Sequence, residues 1–164
     1  RRSIKISWGC FLRPLGLNRD LSQLMARAGL AHAEFGSDSF SDPVLEAYDK
    51  AFTFEDVLHS SRCAREAGID YCHFLIAGGP GETPATLQEG FRNSQQLPSP
   101  VIMAVVGTRI YPGTAVHRRA LAEGLITPAT NLLEPRYYLS PALAEDQVFE
   151  SLHRFSMMNQ NLFT

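Results

Sequence analysis

The spacing of apolar positions switches repeatedly along the chain between a period of two and a helical period of about 3.6. Ile4-Lys5-Ile6-Ser7-Trp8 alternates and predicts a first strand. Asn18 is a capping residue, and the stripe of Leu21, Leu24, Met25 and Ala28 behind it predicts a helix closed by Gly29. Ala31, Ala33 and Phe35 alternate again as a short strand, followed by a Ser/Asp/Gly loop and a short helix around Val44 to Tyr48. Thr53 and Asp56 have the spacing of a capping box. Behind them Phe54, Val57, Leu58, Ser61 and Ala64 share a helix face that ends at Gly68. Tyr71–Ala77 and Val101–Val106 are nearly continuous apolar runs. Between them Thr83 caps, and Pro84 opens, a helix with Leu87, Phe91 and Ser94 on one face. Gly113 and Thr114 open a further helix that carries Val116, Ala120 and Leu121 and stops at Gly124.

Strands that are apolar on both faces belong to parallel sheets covered by helices. Strand–helix alternation with one helix per crossover gives right-handed βαβ units. Four such units predict an α/β fold, a partial (β/α) TIM-like barrel of parallel strands, about half of a closed eightfold barrel. A compact doubly wound sheet is the competing architecture. After Gly124 the texture changes. Leu125 to Pro141 holds Pro128, Pro135 and Pro141 and predicts an ordered but irregular excursion. Ser140-Pro141 then starts a final helix in which Val148, Leu152, Phe155 and Asn159 share a face. Residues 1–124 are therefore expected to form the barrel part, and residues 125–164 an irregular segment and C-terminal helix that pack on it.

Composition narrows the function classes. Of 164 residues 45% are hydrophobic and 20% charged, enough core for a folded domain. Fifteen basic against seventeen acidic residues leave a net charge of −2, which removes the electrostatic case for a nucleic-acid or membrane-surface binder. No apolar run approaches the roughly 18 residues of a spanning helix, and no basic segment with an apolar stretch opens the chain. Cys10, Cys63 and Cys72 show no CxxC spacing, so neither a closed zinc site nor an iron–sulfur cluster can be built locally. An odd, sparse set of thiols fits a reducing cytoplasm. The opening Arg1-Arg2-Ser3, with Met25 as the first methionine, suggests a piece of a longer polypeptide.

Three segments could carry chemistry, each just after a strand, where α/β sheets and barrels bind ligands. Ile76-Ala77-Gly78-Gly79-Pro80-Gly81-Glu82-Thr83 lets the backbone turn tightly and a ligand approach without meeting a Cβ atom. An ordinary strand-to-helix loop would look the same, and without Gly-Lys-Ser/Thr it is not a phosphate-gripping P-loop. In Glu34-Phe35-Gly36-Ser37-Asp38-Ser39, Asp38 and Ser39 can bond sugar hydroxyls or merely form an Asx or Ser turn. In Arg109-Ile110-Tyr111-Pro112-Gly113-Thr114, Arg109 can bind a carboxylate with its planar fork and Tyr111 can stack on a base. The alternative for Arg109 is to brace a neighbouring loop. His73 and Cys72 are adjacent on a strand and point to opposite faces. No Ser/His/Asp trio announces itself.

In this order the segments resemble the radical S-adenosylmethionine (radical SAM) superfamily from about Leu21 to Pro141. The resemblance rests on Ala28-Gly29, Phe35-Gly36-Ser37-Asp38-Ser39, Val44-Leu45 with Lys50, and Ala67-Gly68-Ile69. It continues with Gly79-Pro80-Gly81-Glu82-Thr83, Tyr111-Pro112-Gly113-Thr114 and Gly124-Leu125-Ile126. The Tyr-Pro-Gly-Thr segment and the tail from Leu132-Leu133-Glu134-Pro135 to Ser140-Pro141 are similar to the subgroup with an upstream cobalamin-binding domain. The resemblance implies S-adenosylmethionine and a 4Fe–4S cluster as cofactors of the parent oxidoreductase or methyltransferase, with cobalamin a further candidate. Reductive cleavage of the sulfonium would give a 5′-deoxyadenosyl radical that takes hydrogen from a small-molecule substrate.

By the same resemblance the cofactor-binding residues are Asp38 and Ser39 at the ribose, Ile76, Gly78, Gly79 and Glu82 near the adenine, and Arg109 and Tyr111 at the sixth-strand end. Asp38 stands where the family usually has glutamate and reaches less far. The family's CxxxCxxC loop and its Gly-Gly-Glu segment do not occur in these 164 residues. Ile4 to Trp8 would then be the family's third strand, and the chain the later half of the barrel. Neither metal ligands nor catalytic residues are expected in it, and alone it should not turn over. Its partners would be the upstream barrel half and the cobalamin domain of the same polypeptide, or a second copy through exposed strand edges, with no nucleic acid and no membrane. Two other readings stay open: a degenerate, non-catalytic half-barrel module, and an unrelated doubly wound domain that binds a nucleotide through Gly78 to Thr83.

Overall fold

The computed structural model describes residues 4–158 and 161–163. Its main sheet has five parallel strands in the order β1 (Trp8–Leu12), β2 (Leu30–Asp38), β3 (Asp70–Ala77), β4 (Val101–Val106) and β7 (Leu162–Phe163). Strand order follows chain order with no reversal. That excludes the doubly wound alternative, whose order must turn back at a switch point, and defines an α/β sheet of the TIM-like kind.

Crossover helices cover one face only. They are α1 (Arg19–Arg27), α2 (Asp42–Ala47), α3 (Phe54–Glu66) and α4 (Pro84–Ser94). Trp8, Cys10, Ala33, Phe35 and Tyr71 from the strands join Met25, Cys63 and Ala64 in one core cluster. Leu75, Ala77, Ile102 and Ala104 join Val57, Leu58, Leu87 and Phe91 in a second, larger one. The other parity of each strand faces away from these helices, so Phe11, Met103, Val105 and Phe163 stay exposed on the opposite, inner face.

The capping residues act where the sequence places them. Asn18 accepts from the Leu21 N–H at 2.9 Å, and Thr53 receives the Asp56 carboxylate on its N–H at 2.8 Å. Thr83 and Thr86 bond reciprocally ahead of α4. The first strand does not lie where alternation predicts. Trp8 is already opposite Leu30, the first residue of β2, so nothing remains for Ile4 to Ser7 to pair with, and Ile4 and Ile6 are exposed.

The stretch after Gly124 is ordered, as expected, and contains one regular pairing that its prolines do not announce. Tyr137–Tyr138 (β6) pairs antiparallel with Thr108–Arg109 (β5), beside α5 (Ala115–Ala122). Ile110, Ala120, Ile126 and Tyr138 close a small core of their own. The Tyr138 hydroxyl donates to Glu123 at 2.7 Å; burial and that carboxylate raise its pKa to about 12.

The final helix, α6 (Glu145–Met158), starts later than Ser140-Pro141. Ser140 is engaged elsewhere: its N–H donates to the Gly78 carbonyl and its hydroxyl to the Glu82 carbonyl, both at 2.7 Å. Val148, Leu152 and Phe155 are buried against the sheet helices as the stripe predicts, whereas Asn159 lies outside the described residues. No described helix is long and apolar enough to cross a membrane.

Candidate functional site

A cavity of about 290 Å³ opens at the carboxyl ends of β2, β3 and β4. Asp38 ends β2 and lines it; Ile76 reaches it from the inner face of β3; Thr108 follows β4. Tyr48 and Lys50 enter from the end of α2, Pro80 from the glycine-rich loop, and Val116 from α5. Asp38 is a non-glycine residue at φ 62°, a strained left-handed conformation of the kind that collects at binding sites. Lys50 Nζ lies 2.5 Å from Asp38 Oδ2 and 3.4 Å from the Gly36 carbonyl, so the carboxylate is held by a charge-assisted bond.

The glycine loop frames this cavity but spends its own amides internally. The Glu82 carboxylate is buried and accepts the Gly78 N–H. Burial raises the Glu82 carboxyl to about 7, against the downward pull of the Gly78 and Gly79 amides. The Gly78 backbone therefore binds protein on both sides and is not free for a ligand. Gly79 has a steric reason to be glycine: a Cβ there would sit 1.9 Å from the Tyr48 hydroxyl. That hydroxyl donates to the Ile76 carbonyl at 3.4 Å, and burial first, then Glu82 and Asp38, push its pKa upward.

Of the eight residues singled out from the sequence, the structure brings Asp38 and Ile76 into this cavity, with Gly78 and Gly79 in the loop beside it. Ser39 turns into the protein, where its hydroxyl accepts the Ser41 N–H at 3.1 Å. Glu82 braces the loop from within. Arg109 and Tyr111 lie together, the guanidinium 5.0 Å from the ring centre, and line a separate cavity of about 520 Å³. Tyr48, Lys50, Thr108 and Val116 were given no ligand-binding role by the sequence reading. Lys50, a lone basic residue shortly after the strand-end aspartate, offered a weak signal; the others offered none.

The cysteines are dispersed. Cys10 faces the helix-covered side, Cys63 is buried in α3, and Cys72 sits on the inner face beside Glu34. Burial raises all three thiols, which disfavours the thiolate a metal needs. Among the described residues no three His, Cys, Asp or Glu side chains gather to hold a metal ion.

Residues 4–92 match the family model described as the Radical SAM superfamily, 89 of the 164 residues. The chain belongs to the radical SAM superfamily. It is 31% identical over 90 residues to the anaerobic magnesium-protoporphyrin IX monomethyl ester cyclase of Cereibacter sphaeroides, covering 54% of this chain and 15% of that protein. Among solved structures, it superposes on the radical S-adenosylmethionine methyltransferase TsrM from Kitasatospora setae, with cobalamin and a 4Fe–4S cluster bound, at a TM-score of 0.76. Identity there is 20%, over 93% of this chain and 37% of TsrM. Coproporphyrinogen III oxidase (HemN) from Escherichia coli gives 0.69 at 15% identity, over 94% of this chain and 32% of that one. The chain thus spans well under half the length of each, and the two structures establish its fold as the partial TIM-like barrel of these enzymes.

Proposed function

We propose that the chain forms the later part of the barrel of a radical SAM enzyme and holds the adenosyl portion of S-adenosylmethionine. The observation that carries this reading is the convergence of Asp38, Ile76, Thr108 and Val116 on one cavity at the strand ends. The donor set suits an adenosine. Asp38 can accept ribose hydroxyls, because Lys50 occupies only Oδ2, while Ile76 and Val116 are apolar walls for a flat purine. A volume of about 290 Å³ is at the small end for a ligand site, as expected of a pocket completed by other parts of the polypeptide. When bound, S-adenosylmethionine supplies a 5′-deoxyadenosyl radical on reductive cleavage. This chain's residues orient the nucleoside and exclude water around it.

The 4Fe–4S cluster does not fit these residues, given three separated thiols raised by burial. Its ligands are assigned to the remainder of the polypeptide, so the chain alone is inactive. Residues 1–124 are assigned to the main part of the barrel, and 125–164 to an extension that packs on it and returns β7 to the β4 edge of the sheet. The likeness to TsrM supports cobalamin as an additional cofactor of the parent, and the free thiols support a cytoplasmic protein.

The test uses the native polypeptide containing this chain, purified anaerobically with its iron and sulfide. Asp38→Asn is expected to weaken S-adenosylmethionine binding about tenfold to a hundredfold, the range for losing a bond to a charged acceptor. Equilibrium dialysis reads it. Unchanged affinity in Asp38→Asn and Asp38→Ala would remove the adenosyl site from this cavity.

A further inference from the structure

We infer that the cavity behind Arg109 is a second small-molecule site, which takes an organic carboxylate carried on an apolar body. Its lining shares no residue with the Asp38 cavity, and at about 520 Å³ it is the roomier of the two. Its chemistry is opposite in sign. Asp38 and Asp49 line the first cavity, whereas no Asp or Glu lines the second, in a chain whose net charge is −2.

Arg109 is its cation. Among the described residues it enters no ion pair, and its buried Nε has no hydrogen-bond partner. A carboxylate in the cavity would meet the terminal amines of the fork, for which there is no partner among the described residues. The guanidinium lies over the Tyr111 ring, which fixes the plane of its fork and suits a two-point bond to a planar anion. His117 adds a donor: its Nδ1 accepts the Gly113 N–H at 3.4 Å, which leaves the proton of the neutral ring on Nε2. Asn131 spends its carbonyl oxygen on the Leu133 N–H at 3.1 Å and keeps its amide hydrogens.

The walls set the body of the ligand. Tyr111 is 54% and Leu133 91% exposed, large apolar groups that water covers unless a ligand does. These donors and the uncovered apolar side chains together select an amphipathic anion over a free phosphate or a sugar. That this ligand is the enzyme's substrate rests on the proposed radical SAM activity; the site itself does not.

The test measures binding to the native polypeptide, without S-adenosylmethionine, of 1-pyrenebutyrate and of its neutral analogue 1-pyrenebutanol, by fluorescence anisotropy. The carboxylate is expected to bind at least about tenfold more tightly, the equivalent of one charge-assisted bond. Arg109→Gln should abolish that preference, and Arg109→Lys should keep part of it. Tyr111→Ala should weaken both probes together. Equal affinity of the two probes for the unaltered protein would overturn the site, whatever the variants do. So would displacement of the probe by saturating S-adenosylmethionine, which would return Arg109 to the cofactor. Asp38→Asn leaves probe binding unchanged, so failure of the adenosyl site is seen separately.

Discussion

His73 and Glu82 lie buried, one in β3 and one in the loop that follows it, and they respond to pH in opposite directions. His73 stacks on Phe35 at 5.1 Å between two serines. Ser61 donates to the Val57 carbonyl at 2.7 Å and so receives the Nε2 proton at 3.0 Å, while Ser37 donates to Nδ1 at 2.7 Å. The ring is therefore neutral, and burial lowers its pKa from 6.5 to about 3. Below pH 6.5 the unfolded chain takes a proton that the native ring refuses, so stability falls as pH drops toward 3, by about 1.4 kcal/mol per unit. Glu82 is the reverse. Its native pKa of about 7, against 4.5, means that the unfolded chain gives up a proton that the fold retains, so stability falls as pH rises from 4.5 to 7. Between 4.5 and 6.5 the two slopes oppose each other. Glu82→Gln is expected to gain stability relative to the parent at pH 8 and to gain none at pH 4, measured by urea unfolding. A difference that is the same at both pH values would show that Glu82 ionises freely in the fold.

At the scale of elements, α6 is the piece whose loss should cost most. Phe155 stacks on Phe91 of α4 at 4.4 Å and 12°, both buried, and β7 beyond it pairs with Ile102 and Met103 at the β4 edge. Phe155→Ala is expected to cost about 3–5 kcal/mol. Hydrogen exchange should then speed up along β4 before it does along β2. Loss of protection spread evenly over the sheet would mean that α6 does not guard that edge. Helices such as α6 and α4 were legible because apolar stripes and capping residues are local signals. The two-residue strands β5, β6 and β7 were not, since two residues have no period and their partners are distant in sequence. Alternation also misplaced the first strand, because only the register against Leu30 fixes its start. The site divides in the same way. Asp38 and Ile76 were legible as strand ends, whereas Tyr48 and Val116 arrive from helices that only the crossovers bring near. Ser39 was not legible, because the register shift after Phe35 and the left-handed Asp38 break the strand period before it.

The whole molecule carries an apolar inner face with nothing described over it. Phe11 is 74%, Val105 55% and Phe163 57% exposed there, and β1 pairs only with β2 among the described residues. A closed barrel would bury such a face, and an open one leaves both a sticky surface and a free strand edge. At the other side of the sheet the β4 edge is covered, among the described residues, only opposite Ile102 and Met103. The 164-residue chain by itself is therefore expected to associate with concentration, by light scattering. Two substitutions separate the routes. Val105→Glu charges the inner face at β4 and leaves the β1 edge alone, whereas Phe11→Lys places a charge on the β1 edge strand as well. Both side chains are exposed, so stability should change by no more than about 0.5 kcal/mol. If burial of the face drives association, Val105→Glu is enough to disperse the chain, as is Phe11→Lys; if pairing through the β1 edge does, only Phe11→Lys does so. A monomer at every concentration, insensitive to both, would mean that this face is content in water, and the need for a covering barrel half would lose its physical basis.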